Sequence, residues 1–386
     1  MSLRAEPEPA TRPSGLEAAA PAETTGTAAP FRSPEATVGA PPDANPIPTE
    51  RGWGHRHLLD VAGLDGHDLD LIMRTADEMR GILARPIPKV PTLRGLSVTI
   101  LFYEASTRTR VSFEVAAKNL SADVVNIAAA SSSVVKGESL IDTVRTVEAL
   151  GADMLVMRHG RSGAPDLAAR VFGGHVVNAG DGWHAHPTQA LLDLYTLRDH
   201  LPGGDLRGRK VVIVGDILHS RVARSNIWSL TTAGADLWLC GPATLLRGFE
   251  PLAAMLPASR RLTVTTSIEK ALAGADAVMA LRLQQERMSG GFLPSLREYA
   301  ARYQLNAARM GSAAPEAIVL HPGPMNEGVE IAPDLAAGGR SVITEQVANG
   351  VAIRMAVLYL LAGGRAADAT GRAPDATGRA AASADG

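Results

Sequence analysis

Five consecutive residues, Ser106 to Arg110, combine three hydroxyl groups with two guanidinium groups. They lie in the stretch FYEASTRTRVSFE, between an apolar run typical of a buried strand and a pattern typical of a helix. The first N–H groups of a helix lack partners within the helix and lie at the positive end of its dipole. Arg108 opposes that dipole, a cost that a bound anion reverses. The stretch predicts a phosphate-binding site, with a capped helix and solvated arginines as the plainer alternative.

The helix after this stretch is supported by its own pattern. Its apolar residues recur at the i, i+3, i+4 and i+7 positions of one buried face: Phe113, Ala116, Ala117 and Leu120. Glu114 and Lys118 can pair at i, i+4, and Ser106 or Thr107 can cap the helix start. We therefore expect a strand to end and a helix to begin at one chain corner.

Patterns for cofactors and metals are absent or weak. No GxxxxGK[ST] occurs, and residues 214–226 (VGDILHSRVARSN) follow a strand without GxGxxG, so neither a P-loop nor a dinucleotide site is indicated. His184 and His186 form an HxH beside Asp181, but no third strong ligand stands at a convincing spacing. We predict no cofactor and no metal.

Near-continuous apolar runs, typical of buried parallel strands, alternate with helical patterns. The runs are 97–103, 122–128, 152–158, 175–180, 210–216, 235–241, 261–267, 275–281 and 317–323. Such alternation indicates α/β units with crossover connections. We predict two doubly wound α/β domains, each with a central, mainly parallel sheet flanked by helices, and an active site in the cleft between them.

Composition marks two tails in the 386-residue chain. Residues 1–50 are rich in Ala and Pro and predict a disordered tail. Residues 364–386, where DATGRA occurs twice, predict a second one.

Between the tails, a helix at 188–201 and a breaker-rich link place a domain boundary near residue 200. The predicted domains are 51–200 and 201–346. The last helix, 347–363, could pack on either domain, and we assign it to the first.

The charge balance excludes broad electrostatic binding, since 38 basic and 40 acidic residues give a net charge of -2. The single cysteine, Cys240, cannot form an intrachain disulfide, which fits a reducing cytoplasm. No export signal is visible, and the apolar run 355–362 is shorter than the roughly 20 residues of a membrane span. We predict a cytoplasmic protein that binds neither nucleic acid nor membrane.

The stretch FYEASTRTRVSFE resembles the carbamoyl phosphate signature of the aspartate and ornithine carbamoyltransferase family. The likeness covers roughly residues 55–362. Further segments similar to the family's are SSSVVKGESLIDT (131–143), MRHG (157–160), NAGDGWHAHPTQALLDLYT (178–196), GDILHSRVARS (215–225), LRLQQER (281–287) and HPGPMNEGVEI (321–331). Several motifs in the right order are far more specific than any one of them.

The resemblance implies transfer of a carbamoyl group from carbamoyl phosphate to the amino group of an amino acid. The amine attacks the carbonyl carbon, an oxyanion forms and phosphate leaves, so catalysis depends on positioning and charge stabilisation. The residues that the resemblance assigns to carbamoyl phosphate are Ser106, Thr107, Arg108, Thr109, Arg158, His186, Gln189, Gly323 and Pro324. The catalytic residues among them are Arg108, Thr109, Arg158 and His186.

Each part of this set has its own implied role. Ser106 to Thr109 would hold the leaving phosphate, and Thr109, Arg158 and His186 would converge on the developing oxyanion. Gln189 would bind the carbamoyl NH₂ through its side-chain carbonyl, together with backbone carbonyls of the HPGP segment. The leaving phosphate can accept the amine's proton.

For the amino acid, the resemblance points to Arg221 and Arg282, with Gln284 two residues further on. Two fixed guanidinium groups suit the two carboxylates of aspartate and disfavour a cationic substrate. The remaining arginines of this half are predicted to be structural or surface residues: Arg224, Arg247 and Arg287.

Lys136 lies in a small-residue loop, at the family position that reaches the active site of a neighbouring subunit. The serine that accompanies it could be Ser131, Ser132 or Ser133. These positions imply a homotrimer with shared active sites, which regulatory or dihydroorotase chains could extend to a dodecamer.

We predict the aspartate reaction, which gives N-carbamoyl-L-aspartate and phosphate, an early step of de novo pyrimidine biosynthesis. Ornithine transfer is the alternative, but Cys240 lies outside the cysteine-containing motifs of that branch. A non-catalytic scaffold is a third reading, and it should have lost substrate contacts that this chain keeps. Glu327 replaces an arginine that is frequent in the family, which bears on local loop contacts.

Overall fold

The computed structural model describes residues 52–128, 138–284, 287 and 291–369, the last six of these by backbone alone. The predicted tail 1–50 lies outside these residues, as does most of the predicted tail 364–386.

The described residues form two parallel sheets flanked by helices, which confirms the predicted fold class. The strands of the first sheet lie in the order β2-β1-β3-β4: β1 (Ser97–Phe102), β2 (Asp123–Ala128), β3 (Met154–His159) and β4 (His175–Asp181). Those of the second lie in the order β7-β6-β5-β8-β9: β5 (Lys210–Val214), β6 (Asp236–Cys240), β7 (Arg261–Thr265), β8 (Ala277–Ala280) and β9 (Ile318–Leu320). Each apolar run overlaps one of these strands; most strands are shorter than their run, whereas β3 and β4 extend one residue past theirs.

Helices connect the strands as crossover units require. Those of the first half are α1 (Gly66–Leu83), α2 (Thr107–Asn119), α3 (Leu140–Ala149), α4 (Ala164–Ala169) and α5 (Pro187–His200). Those of the second half are α6 (Arg221–Thr232), α7 (Phe249–Met255), α8 (Ile268–Leu272), α9 (Leu296–Tyr303), α10 (Ala307–Met310) and α11 (Pro333–Ala336). A long last helix, α12 (Ile343–Ala369), completes the order.

Helix α12 packs against α1, α2 and α5, the helices of the first sheet. It is longer at both ends than the predicted 347–363, because helix-forming residues continue past the predicted limits. Its segment Ile343–Gly363 is long and apolar enough to cross a membrane by length and composition. The sequence-based prediction rested only on the shorter apolar run 355–362 and did not include this longer segment. However, 67% of its most apolar window is buried within the protein, as in the core helix of a folded domain.

Both sheets reverse their winding direction at one point, and these points position the site. In the first sheet β1 lies between β2 and β3, and in the second β5 lies between β6 and β8. The chain leaves such neighbouring strands toward opposite faces, which opens a crevice at their carboxyl ends. The segments that follow β1, β3, β5 and β8 therefore start at these crevices.

Helix α2 follows the predicted amphipathic pattern. Its inward residues are fully buried: Phe113, Ala116, Ala117 and the C-cap Leu120. On the outer face, Lys118 Nζ lies 2.6 Å from Glu114 Oε1, the pair predicted from the i, i+4 spacing. Tertiary packing thus fixes the helix start that follows β1.

Candidate active site

A cavity of about 690 Å³ lies where the two halves meet. It brings together every predicted site residue that the structure describes: Ser106, Thr107, Arg108, Thr109, Arg158, His186, Gln189, Arg221, Arg282, Gln284, Gly323 and Pro324. Lys136 and its candidate partners Ser131, Ser132 and Ser133 lie outside the described residues. The substrate roles of all these residues stay predictions.

The β1–α2 corner forms one end of the cavity. Ser106 is the N-cap of α2, but its Oγ donates to Thr109 Oγ1 at 2.9 Å and caps no backbone N–H. The first turn contains no acidic residue, and the exposed Arg108 makes no hydrogen bond or ion pair with the described residues. Backbone donors, hydroxyls and a guanidinium group are therefore available to an anion here.

Gly323 brings the backbone after β9 close to this corner. Its φ of +64° belongs to the left-handed region, and a Cβ there would lie 3.0 Å from Arg108 Cζ. Glycine is required because a side chain would both strain the backbone and press on the guanidinium group. The second half thus closes over the anion end with main chain.

Arg158 and His186 form the buried wall of the cavity. Arg158, at the end of β3, donates from Nη1 to Ala179 O at 3.1 Å, and burial with the nearby Arg221 charge lowers its pKa to about 10. It therefore remains charged at neutral pH. Burial, reinforced by the charges of Arg158, Arg221 and Arg354, holds the pKa of His186 well below its usual range.

His186 therefore presents a neutral imidazole. Its Nδ1 is buried without a partner among the described residues, whereas Nε2 is accessible on the cavity side. The backbone N–H of His186 donates to Ser225 Oγ at 2.9 Å, which holds the start of α5 against α6. With its proton on Nε2, the ring can donate one hydrogen bond into the cavity.

Arg221 and Arg282 reach the same cavity from the second sheet. Arg221 begins α6, behind the Ser220 N-cap, and its Nη1 donates to Gly182 O at 3.2 Å. Arg282 follows β8 and donates from Nη2 to Gln284 Oε1 at 3.1 Å. Two guanidinium groups from different elements therefore face the space beyond the anion corner.

Gly180 makes room for two of these arginines. A Cβ at this position would lie 2.9 Å from Arg158 Nη1 and 3.0 Å from Arg221 Nε, and φ is +115°. An alanine here would strain the backbone and displace a guanidinium group.

Glu104 is a site residue that sequence reasoning missed. Its carboxylate accepts from Arg158 Nη2 at 2.6 Å and from Arg221 Nη1 at 3.1 Å, and it lies 3.6 Å from Arg287 Nη2. Burial opposes its ionisation, but the hydrogen bond from Arg221 and the three positive charges lower its pKa. Glu104 thus ties the carboxyl end of β1 to both halves of the cavity.

Arg287 lines the cavity, so assigning it to structure or surface was incomplete. Its Nη1 donates to His219 O at 3.0 Å while Nη2 faces Glu104. The sequence did not predict this position of Arg287, because it depends on how the segment after β8 folds back toward the end of β1. By contrast, Arg224 donates to Leu218 O and lies over the Phe249 ring, and Arg247 is exposed.

Two groups of potential ligands among the described residues bear on the question of a metal: Asp65, His67 and Asp68, and Asp166, Asp181 and His184. The second contains two residues of the predicted set, but Asp166 takes the place of His186, which lines the cavity instead. His184, however, is bonded to Asp181 and lies 3.4 Å from Asp60, and these carboxylates raise its pKa to about 10. A protonated imidazole is a poor ligand because a metal needs its free lone pair.

Comparison with protein families yields two adjacent matches. Residues 56–199 match the aspartate/ornithine carbamoyltransferase, carbamoyl-P binding domain. Residues 207–361 match the aspartate/ornithine carbamoyltransferase, Asp/Orn binding domain. Together the two matches cover most of the chain.

The similarity to curated relatives extends over nearly the whole length of those relatives. An aspartate carbamoyltransferase catalytic subunit of Roseiflexus sp. (strain RS-1) is 57% identical over 320 residues, 82% of this chain and 99% of the relative. A protein of the same name from Heliobacterium modesticaldum is 56% identical over 315 residues, 81% of this chain and 97% of the relative.

A solved structure shares the fold. Aspartate transcarbamoylase from Trypanosoma cruzi in complex with carbamoyl phosphate and aspartate superposes with a TM-score of 0.71 at 30% identity. The match covers 79% of this chain and 96% of that one. The ligand-free form of that protein gives a TM-score of 0.67 at 28% identity, with 79% and 95% coverage.

Proposed function

The chain belongs to the aspartate/ornithine carbamoyltransferase family, and from that premise we propose that it carries out the aspartate reaction. It transfers the carbamoyl group of carbamoyl phosphate to the amino group of L-aspartate. The products are N-carbamoyl-L-aspartate and phosphate, an early step of de novo pyrimidine biosynthesis. The observation that carries the proposal is a single cavity lined by the β1–α2 anion corner and by both Arg221 and Arg282.

The reaction begins when the aspartate amine attacks the carbonyl carbon of carbamoyl phosphate. The new C–N bond pushes the carbonyl electrons onto oxygen, and Thr109, Arg158 and His186 line the cavity where that oxyanion would lie. A neutral His186 donates one hydrogen bond, and Arg158 adds a positively charged group that Glu104 holds in place.

The intermediate collapses when the carbonyl re-forms and the bond to the phosphate oxygen breaks. The leaving phosphate carries away the electron pair at the start of α2, where Arg108 offers a planar fork of donors. The phosphate also accepts the proton that the amine releases. Atoms and charge balance without a side-chain base or a cofactor.

The charge of the cavity favours aspartate over ornithine. The two aspartate carboxylates can pair with Arg221 and Arg282, whereas the ammonium group of ornithine would meet like charge in the same place. Relatives of the aspartate branch, at 51–58% identity, support the same choice.

A homotrimer with shared active sites is the second part of the proposal. Helix α2 and edge strand β2 expose apolar side chains: Val111, Val115 and Val125. In the sequence, β2 is followed directly by the segment that contains Lys136. Packing of this face against another copy would cover the valines and could bring Lys136 to a neighbouring cavity.

Mixing inactive variants tests the shared site. Lys136→Ala and Arg108→Ala subunits, each inactive alone, should regain activity when dissociated and reassembled together, because some sites would then contain only intact residues. Light scattering should give the mass of three chains. An active monomer would contradict this part of the proposal.

Further associations remain proposals of the same kind. Regulatory or dihydroorotase chains could bind such trimers to form a dodecamer, and the reaction would take place in the cytoplasm. The balanced charge of the chain supports small-molecule substrates over nucleic acid or a membrane as partners.

The direct test of function is an assay of the purified chain with carbamoyl phosphate and either aspartate or ornithine. We expect N-carbamoyl-L-aspartate and phosphate in equal amounts, and less than about one-hundredth of that rate with ornithine, since a cationic side chain would meet like charge. Preference for ornithine, or release of phosphate without a carbamoylated product, would contradict the proposal.

A further inference from the structure

Behind the cavity wall lies a carboxylate that the reaction does not touch. Asp193, in the middle of α5, is fully buried and does not line the cavity. Its Oδ1 accepts from Gln189 Nε2 at 2.9 Å and from Gln346 Nε2 at 2.8 Å, and its Oδ2 accepts from Asn226 Nδ2 at 2.8 Å. One carboxylate therefore binds three amide groups, from α5, α12 and α6.

An ionised carboxylate only accepts hydrogen bonds, so each amide must turn its NH₂ toward Asp193 and its oxygen away. For Gln189, which lines the cavity, this leaves Oε1 accessible on the substrate side. For Gln346, Oε1 accepts from the backbone N–H of His321 at 2.8 Å. His321 begins the segment that contains Gly323 and Pro324.

Asp193 must be ionised if it is to accept hydrogen bonds from all three amides. Burial raises the pKa of Asp193 to about 6, and the three amides and the nearby Arg354 oppose that rise. Asp193 is therefore mainly ionised at neutral pH. Arg354 is itself buried, with Nη1 donating to Gly350 O at 2.9 Å, so its charge has a fixed position.

We propose that Asp193 is a positioning residue that sets the hydrogen-bond polarity of the carbamoyl pocket. It turns Gln189 and, through Gln346, anchors the 321–324 segment so that acceptors face the NH₂ group of the substrate. The inference rests on the proposed function. It adds a source of selectivity, since acceptors favour a carbamoyl group over an acetyl group of the same shape.

Asp193→Leu is the variant that tests this role, because it keeps the approximate size of the side chain but removes both acceptor oxygens. Gln189 and Gln346 both bind Oδ1 in the wild type, so both lose this acceptor. Gln346 Oε1 still accepts from the backbone N–H of His321, whereas Gln189 Oε1 has no bond to a described residue. Gln189 is therefore the amide that can reverse and point its NH₂ at the NH₂ of the substrate.

The readout is discrimination between two phosphates. In Asp193→Leu, kcat/KM for carbamoyl phosphate should fall about tenfold to a hundredfold, the range for one unpaired buried polar group. The inhibition constants of acetyl phosphate and inorganic phosphate should change by less than about twofold, since their phosphate contacts remain. A role limited to holding α5 in place would weaken all three alike.

Two further variants complete the test. In the exchange variant, Asp193→Asn is combined with Asn226→Asp, so the carboxylate moves to position 226 and accepts from the amide that replaces Asp193. This leaves the amide oxygen at position 193 facing Gln189 and Gln346, as Oδ1 does in the wild type, and should preserve discrimination. Asn226→Ser removes one donor without changing Gln189 and should preserve discrimination, with thermal melts confirming that each variant folds. The exchange variant also tests the proposal if Asp193→Leu does not fold.

The outcomes are separable. No carbamoyl transfer by the wild-type chain would refute the proposed function before Asp193 is tested. Normal wild-type activity with unchanged discrimination in Asp193→Leu, an equal loss for all ligands, or lost discrimination in the exchange variant would each overturn the role of Asp193.

Discussion

The two ends of the cavity are built differently. At the β1–α2 corner, Arg108 is exposed and makes no bond with the described residues, and the helix start has no side-chain cap. At the opposite end, Arg221 is buried and bonded to Glu104 and Gly182. The anion end is thus a local structure with open donors, whereas the amino acid end depends on contacts between the two halves.

Removal of Arg108 should produce the largest effect. Arg108→Ala should lower kcat/KM for carbamoyl phosphate by about 10³-fold, as for loss of a charged group that stabilises the transition state. The melting temperature should hardly change, because the exposed side chain has no partner among the described residues. Steady-state kinetics and calorimetry check both parts.

Arg110→Ala is the matched control. Arg110 is exposed on the same helix but does not line the cavity. We expect its kinetics to stay within about twofold of wild type, as for a surface substitution. Equal losses in the two variants would show that the helix, and not the position of Arg108, carries the effect.

Arg282→Ala tests the opposite end. It should reduce kcat/KM for aspartate by about 10²-fold, in line with the loss of a charge-assisted hydrogen bond, while binding of carbamoyl phosphate alone changes little. Calorimetric titration and steady-state kinetics separate the two. Arg247→Ala is the control: Arg247 is exposed, and its replacement should leave the kinetics like those of the wild type. If Arg282→Ala lost binding of carbamoyl phosphate, the two ends of the cavity would not be functionally distinct.

Glu104→Gln should have a smaller effect that reveals coupling between the halves. The neutral amide cannot balance Arg158, Arg221 and Arg287, so the unfolding free energy should fall by about 1–3 kcal/mol. We also expect the KM for aspartate to rise several-fold, because Arg221 loses its main partner. Denaturant titration and kinetics measure these changes.

Glu114→Gln is the control for that variant. It removes an exposed pair with Lys118, which should cost only about 0.3–0.5 kcal/mol. A comparable loss in both variants would mean that Glu104 acts as an ordinary surface charge.

The smallest expected effect is a difference in pKa between His184 and His186, which lie two residues apart in the chain. Because its pKa is lowered, His186 should stay neutral through pH 6.5, the usual value, whereas His184 should stay protonated up to about pH 10. His186 therefore costs folding stability as pH falls below 6.5, and His184 loses its stabilising effect as pH rises toward 10. Histidine ring chemical shifts between about pH 5 and 9 measure both, and a midpoint near the usual value of about 6.5 for either would contradict the geometry.

The difference between the two ends of the cavity, one local and one built from distant contacts, also explains what could be predicted from the sequence. Strands and the Ser106–Arg110 corner were predictable because apolar runs, turn chemistry and helix starts are local signals. Glu104, Arg287 and Asp193 were not, because their roles arise from partners far away in the chain; Glu104 and Arg221, for example, are 117 positions apart. Even a position within the recognised motif FYEASTRTRVSFE did not reveal the function of Glu104.

The position of α12 has a consequence for synthesis of the chain. This helix covers α1, α2 and α5 of the first sheet, yet it is translated after the entire second sheet. The first half can therefore complete its core only when the last helix has left the ribosome, and until then those helices expose apolar surface. A nascent chain stopped before the start of α12 would be a substrate for chaperones, and premature stop codons late in the gene should be nearly as damaging as early ones.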